Sequence, residues 1–237
     1  KAEELSEAIG NANVLIVRST KVYAETIEAG KSLELIIRAG AGVNNIDLEK
    51  ASSSGVYVAN CPGKNSDAVA ELALGHIIAC DRRIVDASLD LRSGNWKKKT
   101  YQKAAGLKRR TLGIIGLGSI GGALVKLAKG LDMNVIAWSR SLTPDKADEL
   151  DLVYCDSIGE VAANADVVSV HLAVTPDTKH FLNNDFFNKM KDGAIFVNTS
   201  RGEIVDTAAL RKAIDEKALR VGLDVFENEP GSGLAEF

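Results

Sequence analysis

The sequence predicts an α/β protein built from two doubly wound parallel-sheet lobes of unequal size. Short apolar segments alternate with helical segments along the 237 residues, which is typical of parallel sheets covered by helices. One apolar segment, 112–115, runs directly into a glycine-rich turn and then into an amphipathic helix. The 46% hydrophobic content is enough to fill a substantial core in a chain of this length.

The smaller lobe is predicted at the start of the chain. Its pattern gives strands at 13–17, 33–37 and 56–59, with a helical segment at 23–29 that Gly30 ends. Asp47 is expected to cap a short helix that extends to Ser54. A long helical stretch over 66–93 follows, with apolar residues at helical spacing.

The larger lobe opens with the strand at 112–115. Ser157 and Glu160 form a capping box for a helix that extends to about residue 165. The remaining segments are predicted as strands at 134–138, 166–171, 194–198 and 221–226, and as helices at 183–191 and 207–217.

The turn after 112–115 reads G-x-G-x-x-G, with Gly116 at the tight turn, Gly118 where backbone can approach a pyrophosphate, and Gly121 at the close helix–strand contact. Ser119 and Ile120 begin the helix, whose N-terminus supplies free N–H groups and a partial positive charge. A glycine-rich turn of another α/β protein is the alternative. The position between a strand and a helix favours a dinucleotide site.

The choice of nicotinamide cofactor depends on the end of the next strand, where NAD-specific proteins of this type carry a carboxylate for the ribose 2′-OH. This chain has Ser139, Arg140 and Ser141 there, and a guanidinium between two hydroxyls suits a 2′-phosphate. The alternative is that Ser139 bonds the 2′-OH of NAD while Arg140 points to solvent. NAD or NADP is therefore expected, with NADP slightly favoured.

Charge and cysteine content exclude several classes of function. The formal net charge is −3, so no strongly basic surface for nucleic acid or an anionic membrane is expected. Cys61, Cys80 and Cys155 are far apart, which fits reduced thiols in a cytoplasmic protein and not a disulfide framework or a metal site. No apolar run approaches the roughly 18 residues of a membrane span. The chain lacks an initiator Met, and we expect it to be trimmed.

Five segments, taken in order, resemble those of one enzyme family. They are 38–47 (RAGAGVNNID), the glycine turn 116–121, VHLAVTPDTK from Val170, FVNTSRGEIVD from Phe196 and GLDVFENEP from Gly222. The chain is similar on these segments to the D-isomer-specific 2-hydroxyacid dehydrogenases, and among them to the D-3-phosphoglycerate dehydrogenases. The resemblance covers nearly the whole chain.

The resemblance implies hydride transfer between a nicotinamide cofactor and a D-2-hydroxy acid. Arg201 matches the cation that binds the substrate carboxylate or developing carbonyl. Glu229 matches the carboxylate that holds the catalytic histidine and favours its protonated form. Asp224 matches the acid that faces the nicotinamide carboxamide, and a place inside an apolar strand would be costly for it without a role. The other residues expected to contact the cofactor are Leu172, Thr199 and Ser200.

The resemblance also implies how substrate binds. Ala41, Gly42 and Val43 would offer backbone N–H groups to the substrate carboxylate. Arg18 matches a residue that contacts the substrate phosphate in phosphoglycerate dehydrogenases, which favours oxidation of 3-phosphoglycerate in serine biosynthesis. Reduction of glyoxylate or hydroxypyruvate is the alternative, which Arg140 strengthens because such reductases commonly use NADPH. An NAD(H)-sensing corepressor of the same fold is the third alternative.

Domain boundaries follow from the same resemblance. We expect an incomplete flavodoxin-like substrate domain at 1–62, a Rossmann dinucleotide-binding domain at 63–230 and the start of a return to the substrate domain at 231–237. The two lobes invite a cleft between them. The segment 66–93 resembles a dimer-forming arm, so a homodimer is expected.

The general acid–base of the family is a histidine beyond the Glu-Pro pair. None of the three histidines of this chain, His76, His171 and His180, has that context. We therefore expect this stretch to bind cofactor but to turn over poorly.

Overall fold

The computed structural model describes residues 4–229. Pro230 and the predicted return segment 231–237 lie outside the described residues. The chain divides into two compact units, of which the first ends at Ser66 and the second begins at Asp67. None of the helices within residues 4–229 is long and apolar enough to cross a membrane.

The first unit is a small parallel sheet with short helices. Its elements are α1 (Leu5–Ala8), β1 (Val14–Val17), α2 (Ala24–Ala29), β2 (Leu35–Arg38), α3 (Leu48–Ser53) and β3 (Tyr57–Asn60). The strands are parallel in the order β1-β2-β3, and Ile36 of the central strand is fully buried. The predicted N-cap is confirmed, because the Asp47 carboxylate accepts a hydrogen bond from the Lys50 N–H at 2.9 Å.

The second unit is a six-stranded parallel sheet covered by helices on both faces. Its elements are α4 (Ser66–Arg82), α5 (Ile84–Arg92), α6 (Lys98–Tyr101), β4 (Thr111–Ile115), α7 (Ser119–Gly130), β5 (Asn134–Trp138), α8 (Pro144–Glu149), β6 (Val153–Tyr154), α9 (Ile158–Asn164), β7 (Val167–Val170), α10 (Asn184–Lys189), β8 (Ile195–Asn198), α11 (Thr207–Lys217) and β9 (Arg220–Leu223). The strand order is β6-β5-β4-β7-β8-β9. This is the order of a Rossmann domain, in which the direction of winding reverses between β4 and β7.

Alternation along the strands builds two cores in this unit. In β7, Val168 and Val170 join the core beneath α9, α10 and α11, whereas Val167 joins the core beneath α4, α7 and α8. Successive side chains of a strand point to opposite faces of its sheet, so both faces must be apolar when helices cover both. The predicted doubly wound α/β class is confirmed, and the sheets of the two units are both parallel.

The prediction of one continuous helical stretch over 66–93 is wrong at Arg83. This residue adopts the left-handed conformation, with φ 52° and ψ 43°, and separates α4 from α5. Its Nε donates to the Asp86 carboxylate at 2.9 Å, and its guanidinium lies 5.0 Å from the centre of the Tyr101 ring. Arginine is a good helix former, so sequence gives no sign of a break that contacts with Asp86 and with Tyr101 of α6 stabilise.

Two further differences concern the strands. The last strand ends at Leu223 and not at 226, which leaves Asp224 in the following loop. The edge strand β6 was not predicted, because two residues are too few to show an alternating pattern. The other predicted strands and helices are confirmed with bounds that differ by up to two residues.

Candidate functional site

Five strands of the second unit end side by side at the carboxyl edge of the sheet. The residues Trp138, Ile115, Val170, Asn198 and Leu223 are aligned in register across β5, β4, β7, β8 and β9. The chain positions that directly follow them are Ser139, Gly116, His171, Thr199 and Asp224. Ligands of open α/β sheets bind outside the carboxyl ends of the strands, at the point where the order reverses. Four of these five positions are predicted site residues.

The glycine turn has the shape that a pyrophosphate cradle requires. Gly116 has φ +98°, and a Cβ there would lie 2.6 Å from the His171 carbonyl oxygen and 2.9 Å from Leu172 Cδ2. A Cβ at Gly121 would overlap the Gly116 carbonyl oxygen, so α7 packs directly on the turn. A Cβ at Gly118, in contrast, would meet no atom within 4 Å. The side of the turn at Gly118 is therefore open to a ligand.

The start of α7 supplies the donors for that cradle. Gly118 is its N-cap and forms no side-chain cap, so the first N–H groups of the helix, at Ser119 and Ile120, keep their hydrogen-bonding capacity for a ligand. The helix is 12 residues long, and its dipole places partial positive charge at the same point. This geometry fits the pyrophosphate of a dinucleotide.

The segment that follows β5 forms a turn, in which the Leu142 N–H donates to the Ser139 carbonyl oxygen at 3.1 Å. Ser139 is half-buried, whereas Arg140 and Ser141 are exposed. The Gly116 N–H donates to the Trp138 carbonyl oxygen at 2.9 Å, which ties this turn to the cradle. The residues expected to bind the ribose therefore follow one strand end, and the glycine turn follows the adjacent one.

The loop after β8 is ordered by a buried amide, Asn198, which is 1% exposed. Its Oδ1 accepts hydrogen bonds from the Ser200 N–H at 3.0 Å and from the Ser200 Oγ at 2.7 Å. Its Nδ2 donates to the Arg201 carbonyl oxygen at 2.9 Å. The Arg201 side chain is exposed, and its Nη1 donates to the Ser200 carbonyl oxygen at 2.7 Å. The network fixes the backbone on either side of Arg201. No sequence pattern singles out Asn198, because its role depends on contacts made in the folded loop.

The loop after β9 carries the two predicted carboxylates. The Asp224 N–H donates to the Asn198 carbonyl oxygen at 3.1 Å, and the Asp224 side chain is exposed. The expectation that Asp224 lies inside an apolar strand is therefore wrong, because β9 has already ended, and no desolvation cost requires a role for it. Glu229 is also exposed, and its Oε1 accepts from the Phe226 N–H at 2.8 Å.

His171 and Thr199, on neighbouring strand ends, each carry a buried polar side-chain atom without a partner within residues 4–229. The His171 Nε2 lies 3.0 Å from Ser169 Oγ, whereas His171 Nδ1 and Thr199 Oγ1 have no hydrogen-bond partner within residues 4–229. Burial lowers the pKa of His171 to about 4, so this imidazole is neutral at physiological pH. Unpaired buried polar atoms at a ligand edge fit a site that a polar ligand completes.

In the first unit, the predicted substrate residues lie at the carboxyl edge of its own sheet. Arg18 follows β1 directly and is exposed, and Ala41, Gly42 and Val43 follow β2. The loop is held from the next strand, because Asn60 Nδ2 donates to the Ala41 carbonyl oxygen at 2.6 Å.

Comparison with known proteins identifies the family. The model of the D-isomer specific 2-hydroxyacid dehydrogenase NAD-binding domain matches residues 74–236. The chain is 43% identical to hydroxypyruvate reductase of Thermotoga maritima, with 96% of the chain and 74% of the relative covered. It is 42% identical to D-3-phosphoglycerate dehydrogenase of Methanocaldococcus jannaschii, with 96% of the chain but only 44% of the relative covered.

A solved structure gives the same result for the fold. D-lactate dehydrogenase from Aquifex aeolicus, in complex with NAD and lactic acid, superposes with a TM-score of 0.82 at 30% identity. The match covers 94% of this chain and 67% of that one. The chain therefore belongs to the D-isomer specific 2-hydroxyacid dehydrogenase family, whose NAD-binding domain its second unit contains.

Proposed function

We propose that the protein transfers a hydride between a nicotinamide cofactor and a D-2-hydroxy acid. One observation carries the proposal: the register of five strand ends brings the open glycine cradle, the ordered Arg201 loop and the Asp224–Glu229 loop to one edge of the sheet. The bound cofactor would supply the hydride acceptor or donor. Binding, orientation and charge stabilisation then fall to residues of this chain.

Each predicted residue has a task that suits its position. The N–H groups of Ser119 and Ile120, with Gly118, Gly116 and Gly121 around them, would bind the pyrophosphate. Leu172, Thr199 and Ser200 would line the cofactor, and the Asp224 carboxylate would accept hydrogen bonds from the nicotinamide carboxamide.

Two further side chains of the same edge would act on the substrate. Arg201 would bind the substrate carboxylate or the developing carbonyl with the planar guanidinium of its exposed side chain. Glu229 would hold the histidine that serves as general acid–base in the family and favour its charged form.

The turn after β5 supports NADP(H) as the preferred cofactor. An exposed Arg140 between Ser139 and Ser141 suits a 2′-phosphate, and no acid stands in this segment. Kinetics of the purified protein with both cofactors test this choice. NADH favoured by more than about tenfold in kcat/KM, equal to about 1.4 kcal/mol, would contradict it.

We propose 3-phosphoglycerate as the substrate, supported by Arg18 at the end of β1. Reduction of hydroxypyruvate or glyoxylate is the second candidate, favoured by the Ser139–Ser141 segment and by the 43% identical reductase. Rates with 3-phosphoglycerate, hydroxypyruvate and glyoxylate, each with both cofactors, distinguish the two. Arg18→Ala should impair use of 3-phosphoglycerate far more than use of glyoxylate, while Lys21→Ala, which removes a nearby exposed charge, serves as the control.

We also propose a homodimer through the segment 66–93. Four apolar side chains of α5 are between 47% and 60% exposed, namely Ile84, Val85, Leu89 and Leu91. Apolar surface of this kind is commonly covered by a partner, and a second copy is the simplest one. Sedimentation analysis should give a dimer for the unmodified protein and a monomer for Leu89→Asp. Val153→Asp, at an exposed apolar position of β6, should leave the mass unchanged.

A further inference from the structure

Three side chains from separate segments meet on the carboxyl edge of the second sheet. The His180 Nε2 lies 2.6 Å from Glu227 Oε1, and the Thr207 Oγ donates to Glu227 Oε2 at 2.9 Å. Because an ionised carboxylate can only accept, Nε2 is the protonated nitrogen of His180. Hydrogen bonds from His180 and then Thr207 hold the pKa of Glu227 below its ordinary value.

This cluster joins the segments that follow three neighbouring strands. His180 lies in the segment after β7, Thr207 is the first residue of α11 after β8, and Glu227 lies in the loop after β9. The backbone N–H of His180 also donates to the Glu203 carbonyl oxygen at 2.8 Å. Within residues 4–229, side chains from all three segments therefore meet at the Glu227 carboxylate.

The loop 224–229 is in close contact with the Arg201 loop. A Cβ at Gly202 would overlap the backbone of Phe226 and Glu227, so the two segments pack backbone to backbone. A movement of Glu227 would displace the residues on either side of it. Those residues include Asp224, three positions before it, and Glu229, two positions after it.

We infer that His180 and Glu227 are positioning residues, forming a latch that holds the loop 224–229 against the segments that follow β7 and β8 for nicotinamide binding. The latch consists of the His180–Glu227 pair with Thr207 as its second donor. It rests on the proposed function, because it acts through the nicotinamide contact assigned there to Asp224. The pyrophosphate cradle follows β4, and within residues 4–229 no hydrogen bond or ion pair joins it to the latch residues.

The latch therefore predicts an effect at one end of the cofactor only. NADH and ADP-ribose share the pyrophosphate and the adenosine, but only NADH carries the nicotinamide. Loss of the latch should weaken binding of NADH and spare ADP-ribose. A general loss of structure would weaken the binding of both ligands.

The experiment is calorimetric titration of the full protein with NADH and with ADP-ribose. His180→Ala and Glu227→Ala should each weaken NADH binding by about threefold to tenfold, as a partly exposed charge-assisted pair allows, with ADP-ribose unchanged. His180→Gln should restore NADH binding, since its amide can donate to the same carboxylate. Asp192→Ala removes an ion pair with Lys217, 3.0 Å long, from another part of the unit and should have no effect.

Hydrogen exchange supplies a readout that does not depend on activity. Residues 224–229 should exchange faster in both Ala variants than in the unmodified protein, even without ligand. Equal losses for NADH and ADP-ribose, or NADH binding unchanged in both Ala variants, would overturn the latch alone. Failure of the unmodified protein to bind either NADH or NADPH would overturn the proposed function and the latch with it.

Discussion

The glycine cradle gives the sharpest test of cofactor binding, because each of its positions requires glycine for a different reason. At Gly118 the backbone has φ −92° and ψ −159°, which alanine adopts freely, and a Cβ would meet no protein atom within 4 Å. Gly118→Ala should therefore fold normally. Its methyl group would occupy the space through which backbone approaches the pyrophosphate.

The expected loss can be estimated from one hydrogen bond to a charged group, worth about 1.5–3 kcal/mol, or about 10- to 150-fold in Kd. Titration of NADH followed by its fluorescence measures this loss, and thermal unfolding shows that the variant is folded. Gly122→Ala is the matched control, since a Cβ there also meets no atom within 4 Å. It should keep the Kd and gain up to about 1 kcal/mol in free energy of unfolding, because alanine favours the helix.

Gly121→Ala separates folding from binding. Its Cβ would overlap the Gly116 carbonyl oxygen, so α7 must shift from the strand end at a cost of about 1–3 kcal/mol in free energy of unfolding. If Gly118→Ala bound NADH as tightly as the unmodified protein, the assignment of this turn to the pyrophosphate would be refuted. If Gly121→Ala unfolded at the same temperature as the unmodified protein, the packing argument would fail.

Three other predictions follow from buried polar groups. His171 has a folded-state pKa of about 4 against about 6.5 when unfolded, so unfolding takes up a proton below pH 6.5. Up to about 3 kcal/mol of the free energy of unfolding should therefore be lost between pH 6.5 and 4, and none of it above pH 7. Urea titrations of His171→Gln should show a correspondingly shallower pH dependence of the free energy of unfolding. Asn198→Ala removes the hydrogen-bond partner of Ser200 and Arg201, so it should cost about 2–4 kcal/mol in free energy of unfolding and should also weaken NADH binding. Unchanged NADH affinity would count against an ordered Arg201 loop. Asp81, which is 1% exposed, accepts hydrogen bonds from Arg110 Nη1 at 3.1 Å and from the Gly106 N–H at 3.0 Å. Asp81→Ala should therefore cost about 3–5 kcal/mol in free energy of unfolding, while the Kd for NADH of the folded fraction should stay the same. A higher Kd would show that this network reaches the cofactor edge.

Much of the cofactor site could be predicted because its signals are local. The glycine spacing and the apolar strand before it identify the cradle within a dozen residues, and the structure gives each glycine the environment expected of it. The strand ends at Trp138 and Asn198 were predicted correctly for the same reason, since apolar runs stop there. The roles of Arg201 and Glu229 stay predictions.

The contacts that order the loops could not be predicted from sequence. His180 and Glu227 are 47 positions apart, and Asp81 and Arg110 are 29 apart, so no pattern in either neighbourhood pairs them. The predictions of unbroken helix through Arg83 and of a place for Asp224 inside a strand were wrong for a related reason. Helix propensity and apolar periodicity describe segments, whereas a segment ends where tertiary contacts stop supporting it.

The sequence by itself determined the alternation of strands and helices, the glycine cradle and the residue types available for hydride-transfer chemistry, because these depend on short-range periodicity and on side-chain chemistry. Only the tertiary structure decided that the ends of β5, β4, β7, β8 and β9 lie in one register, and which buried groups hold their loops. Register depends on parallel strands far apart in the chain, joined by crossover helices. The free energy that fixes this register comes from packing between distant segments, and no local sequence pattern encodes that packing.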